Sequence, residues 1–271
     1  MTELFSYDFM VYAVTAALLS GISCSVLSNY IVLKKMEFIG DGAGHTAFGG
    51  IALAILMGWN LNLVSVITGV IFALSIYFVS KKQKVNENSI IGILLSLSMA
   101  LGVIFISLKK GYTPEIDGYL FGDILMVSET DIKILAVVFS AIIISVILFN
   151  KELKYYAFNQ RMAKIYGVPV NAVNFLFLLT VSVVVVTSVK IIGIILVTAL
   201  LLTPGIIAKM WAGTLNHMII ISSVVGTVSS VLGIIAAYYF NIPPGPSIVV
   251  TMFGFFLISF LIKNIYTKIK K

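Results

Sequence analysis

The chain has 271 residues, of which 60% are hydrophobic and 11% are charged, and its formal net charge is +7. Soluble domains carry about 25% charged residues, so this composition excludes an ordinary water-exposed surface and indicates a bilayer protein. The basic charge does not indicate nucleic-acid binding, because the lysines sit at the ends of apolar segments and are not interleaved with stacking aromatic residues.

Apolar runs long enough to cross ~30 Å of hydrocarbon as helices recur along the whole chain, without the alternation typical of a barrel. We therefore predict an all-α polytopic membrane protein with eight or nine transmembrane helices in a single domain, residues 1–271. The predicted spans are residues 9–32, 37–58, 61–79, 90–108, 132–149, 171–189, 191–208, 218–240 and 247–263. The count is open because only Gly58–Asn60 separates the second span from the third, and only Lys190 separates the sixth from the seventh.

The distribution of Lys and Arg predicts the orientation of the chain. With the N-terminus outside, most basic residues fall on the inner side, and only Lys109, Lys110, Lys133 and Lys190 lie outside or near the outer interface. This asymmetry is the one that the positive-inside rule describes. Residues 1–33 contain no Lys or Arg, so we expect no cleavable signal peptide and an N-terminal span that is retained.

Two ionisable residues lie inside the second span, in the stretch GDGAGHTAFGG. Asp41 and His45 are four residues apart, so they share one helical face. A single cation could contact a carboxylate oxygen and an imidazole nitrogen, which are ligand types that Zn²⁺ accepts and Mn²⁺ tolerates. If two copies met on a two-fold axis, two Asp and two His would supply four ligands. Alternatively, Asp41 caps the helix and His45 bonds to a backbone carbonyl.

Glycines surround this pair at Gly40, Gly42, Gly44, Gly49 and Gly50. They permit either close helix approach or a locally opened helix that lines a cavity. Tight packing without any site would use the same glycines, so the stretch alone leaves both interpretations open.

Two polar segments stand out beside the spans. On the predicted inner side, residues 155–169 form a short amphipathic segment in which Asn159 could cap a helix that Gly167 and Pro169 would end. Such a helix could dock into a groove on a partner or rest on lipid headgroups. On the outer side, Glu115, Asp117 and Asp123 could concentrate cations at an outer entrance, or simply form a solvated loop.

The chain contains neither a phosphate-binding G-x-x-x-x-G-K-[ST] loop nor an H-E-x-x-H helix. It is therefore not expected to be an ATPase or a metalloprotease by itself. Transport by this chain would need an ion gradient or a separate energy-supplying subunit.

Five blocks, in order, resemble the permease subunits of bacterial ABC importers for zinc, manganese or iron. They are Val32–Met36 leading into Gly40-Asp41-x-x-x-His45, then Tyr119–Leu125, Phe158–Ala163, Val189–Pro204, and Tyr238-Tyr239 followed by Pro243–Pro246. The resemblance covers nearly the whole chain. One departure is Gly44, where the family more often has Ser; we read the GDG-x-x-H form as favouring zinc.

The resemblance implies a non-enzymatic permease of the bacterial plasma membrane, N-terminus outside and C-terminus cytoplasmic, that pairs with a second copy of itself. It implies cytoplasmic ABC ATPase subunits that use ATP and an extracytoplasmic metal-binding protein that delivers Zn²⁺ or Mn²⁺, with no permanently bound cofactor. It assigns the metal to Asp41 and His45. It assigns ATPase coupling to a helix at about 155–167, through Phe158, Asn159, Gln160, Arg161, Met162 and Ala163. The alternative is a gradient-driven carrier or channel without an ATPase.

Overall fold

The computed structural model describes residues 8–83, 85–109, 122, 124 and 127–269. Helices account for nearly all of these residues. They are α1 (Asp8–Lys34), α2 (Ile39–Met57), α3 (Leu61–Gln83), α4 (Glu87–Leu108), α5 (Glu129–Leu148), α6 (Asn150–Phe158), α7 (Gln160–Ile165), α8 (Val170–Ile192), α9 (Ile194–Trp211), α10 (Leu215–Phe240) and α11 (Pro244–Ile269).

Within the described residues, nine helices are long and apolar enough to cross a membrane, and only α6 and α7 are too short. No strand occurs in this part of the chain. The predicted all-α polytopic fold is therefore confirmed, with the higher of the two predicted span counts. The chain is a multi-pass membrane protein.

Helix α1 lies at the centre of one half of the bundle and packs against α9 and α10. Small residues let the backbones approach: a Cβ added to Gly205 would lie 2.7 Å from Ser28 O, and one added to Gly21 would lie 2.9 Å from Ser230 Oγ. Asn29 Nδ2 donates to Ser222 Oγ at 2.7 Å. Close backbone contact and interhelical hydrogen bonds hold helices together where apolar burial gives no driving force.

Helix α2 forms the second centre and packs against α4, α3, α8 and α9. Together with α1 and α8 it is among the most buried spans, whereas α4, α5 and α11 expose most of their surface. The stretch around Asp41 and His45 therefore lies within the bundle and not on its lipid-facing rim.

The boundary between α8 and α9 differs from the prediction. Lys190 lies inside the last turn of α8, and the chain breaks at Gly193, whose φ of 82° and ψ of 158° favour glycine. A proline usually breaks a helix, but Pro204 lies within α9, which runs on to Trp211. A close contact with α1 at Gly205 supports the helix at this point.

Lys190, near the end of α8, is held in an ion pair. Its Nζ lies 3.1 Å from Asp131 Oδ1, and the two side chains are 32% and 16% exposed. Asp131 Oδ2 also accepts from the Ser128 amide and hydroxyl, which closes a capping box at the start of α5. One carboxylate therefore fixes the start of α5 to the end of α8.

We expect Lys190→Met or Asp131→Asn to lower the free energy of unfolding by about 1 to 2 kcal/mol, because each leaves a half-buried polar group without its partner. The double variant should lose less than the sum of the single variants. Thermal unfolding in detergent measures both effects. Glu129→Gln and Lys133→Met are matched controls, since that pair is 66% and 70% exposed and should contribute under about 0.5 kcal/mol. Equal losses in both sets would contradict the assignment.

Candidate metal-ion site

The turn between α1 and α2 places Asp41 and His45. Lys35 adopts a left-handed conformation with φ of 57°, and α2 begins at Ile39 after Phe38. Asp41 therefore lies in the first turn of α2, and His45 lies one turn further along the same face. Both side chains are half-buried.

Glycines bring neighbouring helices against α2 on both sides of this face. On one side, a Cβ added to Gly40 would lie 3.0 Å from Leu201 Cδ1 of α9, and one added to Gly44 would lie 3.3 Å from Ile194 Cγ1. On the other side, a Cβ added to Gly49 would lie 2.8 Å from Ser98 O of α4. Because α2 is a continuous helix, the glycines serve close approach and do not mark an opened helix.

The two candidate ligands have no competing partners in the described part of the chain. His45 Nδ1 is buried and forms no hydrogen bond there. Phe38 occupies the N-cap position of α2, and no side-chain hydrogen bond caps the helix. Neither of the two structural alternatives for these residues, a cap at Asp41 or a backbone bond from His45, is therefore present among the described residues.

The pair supplies only two ligands. No group of three or more His, Cys, Asp or Glu side chains that could hold a metal occurs among the residues that the structure describes. Transition-metal sites usually take four to six ligands. A cation at this face would need water or a second copy of the chain to complete its shell.

The inner segment forms two short helices and not the single helix predicted for residues 155–167. Helix α6 ends at Phe158, and Asn159 then caps α7 by accepting from the amides of Arg161 and Met162 at 2.9 and 3.2 Å. The predicted cap at Asn159 is therefore confirmed. Gly167, with φ of 77°, follows the end of α7 as expected.

Four of the six predicted coupling residues, Phe158, Asn159, Arg161 and Met162, are exposed. Phe158 is 63% exposed and Met162 43% exposed, while Ala163 is fully buried and anchors the helix. Beside them lies a cavity of about 660 Å³. It is lined by Asn150, Lys151, Lys154, Tyr155, Phe158, Asn159, Met162 and Tyr166.

A polar network joins α6 to the membrane helices. The Tyr156 hydroxyl donates to Asn174 Oδ1 of α8, and Asn174 Nδ2 donates to Glu87 Oε1 of α4 at 3.0 Å. Lys34 Nζ lies 4.2 Å from the centre of the Tyr156 ring. Burial, with the nearby Glu87 charge, raises the pKa of Tyr156 well above its ordinary value, so its hydroxyl stays a neutral donor.

Comparison with known proteins identifies the family. The model of the ABC 3 transport family matches residues 6–263. The chain belongs to the ABC 3 transport family.

Relatives of this ABC 3 chain carry names that refer to metal transport. It is 34% identical over 258 residues to the manganese transport system membrane protein MntC of Halalkalibacterium halodurans, covering 95% of this chain and 88% of that protein. It is 30% identical over 265 residues to the chelated iron transport system membrane protein YfeD of Yersinia pestis, covering 98% and 89%. The resemblance to permease subunits of metal-ion ABC importers is thus confirmed.

A solved structure supports the same fold. The chain aligns with PsaBC from Streptococcus pneumoniae in complex with Fab at a TM-score of 0.86 and 35% identity, over 99% of this chain and 97% of that one. The described residues of this chain, with their nine candidate spans, therefore share the fold of that chain.

One further sequence prediction concerns residues away from α2. Glu115, Asp117 and most of the block Tyr119–Leu125, including Asp123, lie outside the described residues, so the outer entrance stays a prediction. His217, the second histidine of the ABC 3 chain, is exposed near the start of α10, away from the candidate metal-binding face of α2.

Sequence reasoning missed two hydroxyls next to the site. Thr46 Oγ1 donates to Gly42 O at 2.7 Å and lies 3.2 Å from Ser98 Oγ of α4. This contact ties the turn that carries His45 to α4. The sequence shows Thr46 directly after His45. Its pairing with Ser98 could not be predicted, because it depends on how α2 and α4 are aligned along each other in the fold.

Proposed function

We propose that this ABC 3 chain is the permease subunit of an ATP-driven importer of divalent transition-metal ions, and that Asp41 and His45 bind the ion during transport. One observation carries the proposal. Two ionisable side chains lie half-buried on one face of α2, with His45 Nδ1 buried and unbonded among the described residues. Ionisable groups within membrane spans are costly and usually mark an ion pathway.

A second copy of the chain would complete the shell. The helices that flank the pair expose apolar side chains, including Ile195 and Ile206 of α9 and Leu97 of α4. Packing of two copies across these surfaces would bring two Asp41 and two His45 side chains towards one axis. The resulting set of two nitrogen and two oxygen donor groups suits Zn²⁺ and can be extended by water for Mn²⁺.

Coupling to ATP hydrolysis would act through α7 and its surroundings. We propose that cytoplasmic ATPase subunits dock on the exposed coupling residues Phe158, Asn159, Arg161 and Met162, next to the 660 Å³ cavity. Gln160 is half-buried beside them, and the buried Ala163 holds the helix in place. Movement there reaches α1 through the Lys34 contact with Tyr156. The end of α1 leads directly into α2, so the same movement can tilt the Asp41 face and alternate its access between the two sides.

The identity of the transported ion is proposed from a sequence pattern and from the names of relatives. The GDG-x-x-H pattern predicts zinc, which stays a prediction, and the names of relatives refer to manganese and chelated iron. We propose manganese ahead of zinc, because a relative with 34% identity is named for manganese transport and water can extend the Asp/His set to the larger shell of Mn²⁺. Uptake by the reconstituted complex, with zinc, manganese and iron in competition, tests both activity and selectivity. Preference for zinc would overturn the order, and transport of none would overturn the function.

The proposal also includes delivery of the metal ion to the permease. An extracytoplasmic metal-binding protein would hand the ion over at the outer side, where Glu115, Asp117 and Asp123 would raise the local cation concentration. The N-terminus is then outside and the C-terminus cytoplasmic, as the charge distribution predicts.

We expect Arg161→Ala and Phe158→Ala to weaken retention of the ATPase by about tenfold or more, because exposed aromatic and Arg anchors carry most interface energy. Co-purification of tagged permease and ATPase from membranes measures the ratio. Lys209→Ala, an exposed charge at the end of α9, is the control and should retain the ATPase. If metal uptake continued in membranes that lack any ATPase, the chain would instead be a gradient-driven carrier or channel.

A further inference from the structure

A second cavity, of about 460 Å³, lies at the end of the bundle where α1 and α3 end and where α4 and α8 begin. Its lining is rich in basic and amide side chains. Its charged lining residues are Lys34, Lys81, Glu87, Arg161 and Lys164. Four are basic and one is acidic, so the cavity carries a formal charge of 4 − 1 = +3.

The chain does little to neutralise this charge. Among the described residues none of the four basic side chains forms an ion pair; the two pairs present there are Lys133 with Glu129 and Lys190 with Asp131. The acidic member, Glu87, accepts from Asn174 through Oε1. The charge of Glu87 acts on Lys34, which leaves Lys81, Arg161 and Lys164 as an excess of positive charge around the cavity. Such a convergence of cations favours an anion.

We propose that this cavity binds the phosphate group of an anionic phospholipid from the adjoining membrane leaflet. Arg161 can hold two phosphate oxygens at once, and Lys81 and Lys164 add point charges. The volume falls within the usual range for small-molecule sites, about 300 to 1,000 Å³. Basic pockets between membrane helices on the cytoplasmic side are suited to anionic headgroups, and the charge distribution predicts that this end of the bundle is cytoplasmic.

The surroundings favour a lipid over a free phosphate ion. On α3, Phe78 is 61% exposed and lies three positions before the lining residue Lys81, on the neighbouring part of the helix surface. The lining residue Val85 is 41% exposed. An acyl chain attached to the phosphate can cover these apolar surfaces, whereas an inorganic ion leaves them uncovered.

A bound lipid would link α7 to the membrane helices α1 and α3. Its phosphate would join Gln160, Arg161 and Lys164 of α7 to Lys34 of α1 and Lys81 of α3, and would relieve the repulsion among the cations. The position of α7 against the membrane helices then depends on the lipid. The binding claim itself is independent of which ion the permease carries.

The test uses the full chain in a neutral detergent. Dioctanoyl phosphatidylglycerol is titrated, and both the thermal unfolding midpoint and the number of lipids retained in native mass spectrometry are measured. We expect a saturable rise in the midpoint with one strongly retained lipid per chain. Lys81→Gln with Lys164→Gln should weaken binding about 25-fold, about fivefold for each charge removed. Both side chains are exposed, so the fold should survive the change.

Three controls separate the alternatives. Lys209→Gln with Lys268→Gln removes the same charge elsewhere and should leave the affinity unchanged; an equal loss would mean general surface attraction and would overturn the site. Equal stabilisation by inorganic phosphate would show a free-anion site, and equal stabilisation by dioctanoyl phosphatidylcholine would show that the anionic charge is irrelevant. If the double variant without lipid unfolds at a lower temperature than the parent, the single Lys81→Gln variant replaces it in the test. A fivefold loss of affinity in that variant supports the site, and an unchanged affinity overturns it.

Discussion

Asp41→Ala and His45→Ala should each reduce metal accumulation by at least about 100-fold, since loss of groups that merely orient metal ligands already costs about 10- to 100-fold. Each substitution removes two of the four protein donor groups expected in a dimer. Neither residue forms a hydrogen bond in the described structure that its loss would break, so membrane assembly should survive. Uptake of radioactive manganese and zinc by cells or proteoliposomes measures the effect.

Two comparisons make this result specific to the pair. His217→Ala removes the other histidine of the chain, which is exposed on α10, and should transport at the parent rate. Asp41→Asn keeps the size of the side chain and removes its charge, so it should lose transport almost as fully as Asp41→Ala. ATPase retention should equal that of the parent in every variant. Parent-level uptake by both Ala variants would show that the ion passes elsewhere.

The sequence predicted the membrane architecture well because burial in lipid imposes a simple rule on composition. Each span had to show an apolar run of sufficient length, and the nine spans predicted match nine helices in the described residues. The Asp41 and His45 pair was visible for the opposite reason, since charged groups are rare in such runs. The shared face of the two residues followed from helical periodicity alone.

Features that depend on contact between distant helices were not predictable in the same way. Lys190 lies 59 positions from Asp131, and nothing in either local sequence indicates the pairing. Pro204 signals a break locally, but its helix continues along α1 at Gly205. Likewise, the sequence identified Asn159 as a cap, but it predicted one helix over 155–167 and not a separate helix, α6, that ends just before Asn159.

Gly49→Ala is the second substitution from which we expect a large effect, this time on stability. A Cβ at Gly49 would meet the backbone oxygen of Ser98 at 2.8 Å, and a backbone atom in a packed helix cannot rotate away as a side chain can. Overpacking of this kind costs about 1 to 3 kcal/mol, which exceeds the gain of up to about 1 kcal/mol from replacing Gly in a helix. The unfolding midpoint in detergent should therefore fall.

Gly92 on α4 provides a matched control, because the same substitution there meets nothing within 4 Å. Gly92→Ala should leave the midpoint unchanged or raise it. The series Gly49→Ala, Ser and Val should lower the midpoint progressively as the added volume pushes α4 from α2. Thr46 and Ser98 hold the same two helices together beside His45, so metal uptake should fall in the same order. Uptake is measured at a temperature at which every variant is still folded. A flat series would mean that α2 and α4 can separate freely, and would contradict the role of the glycines in positioning the Asp41 and His45 face.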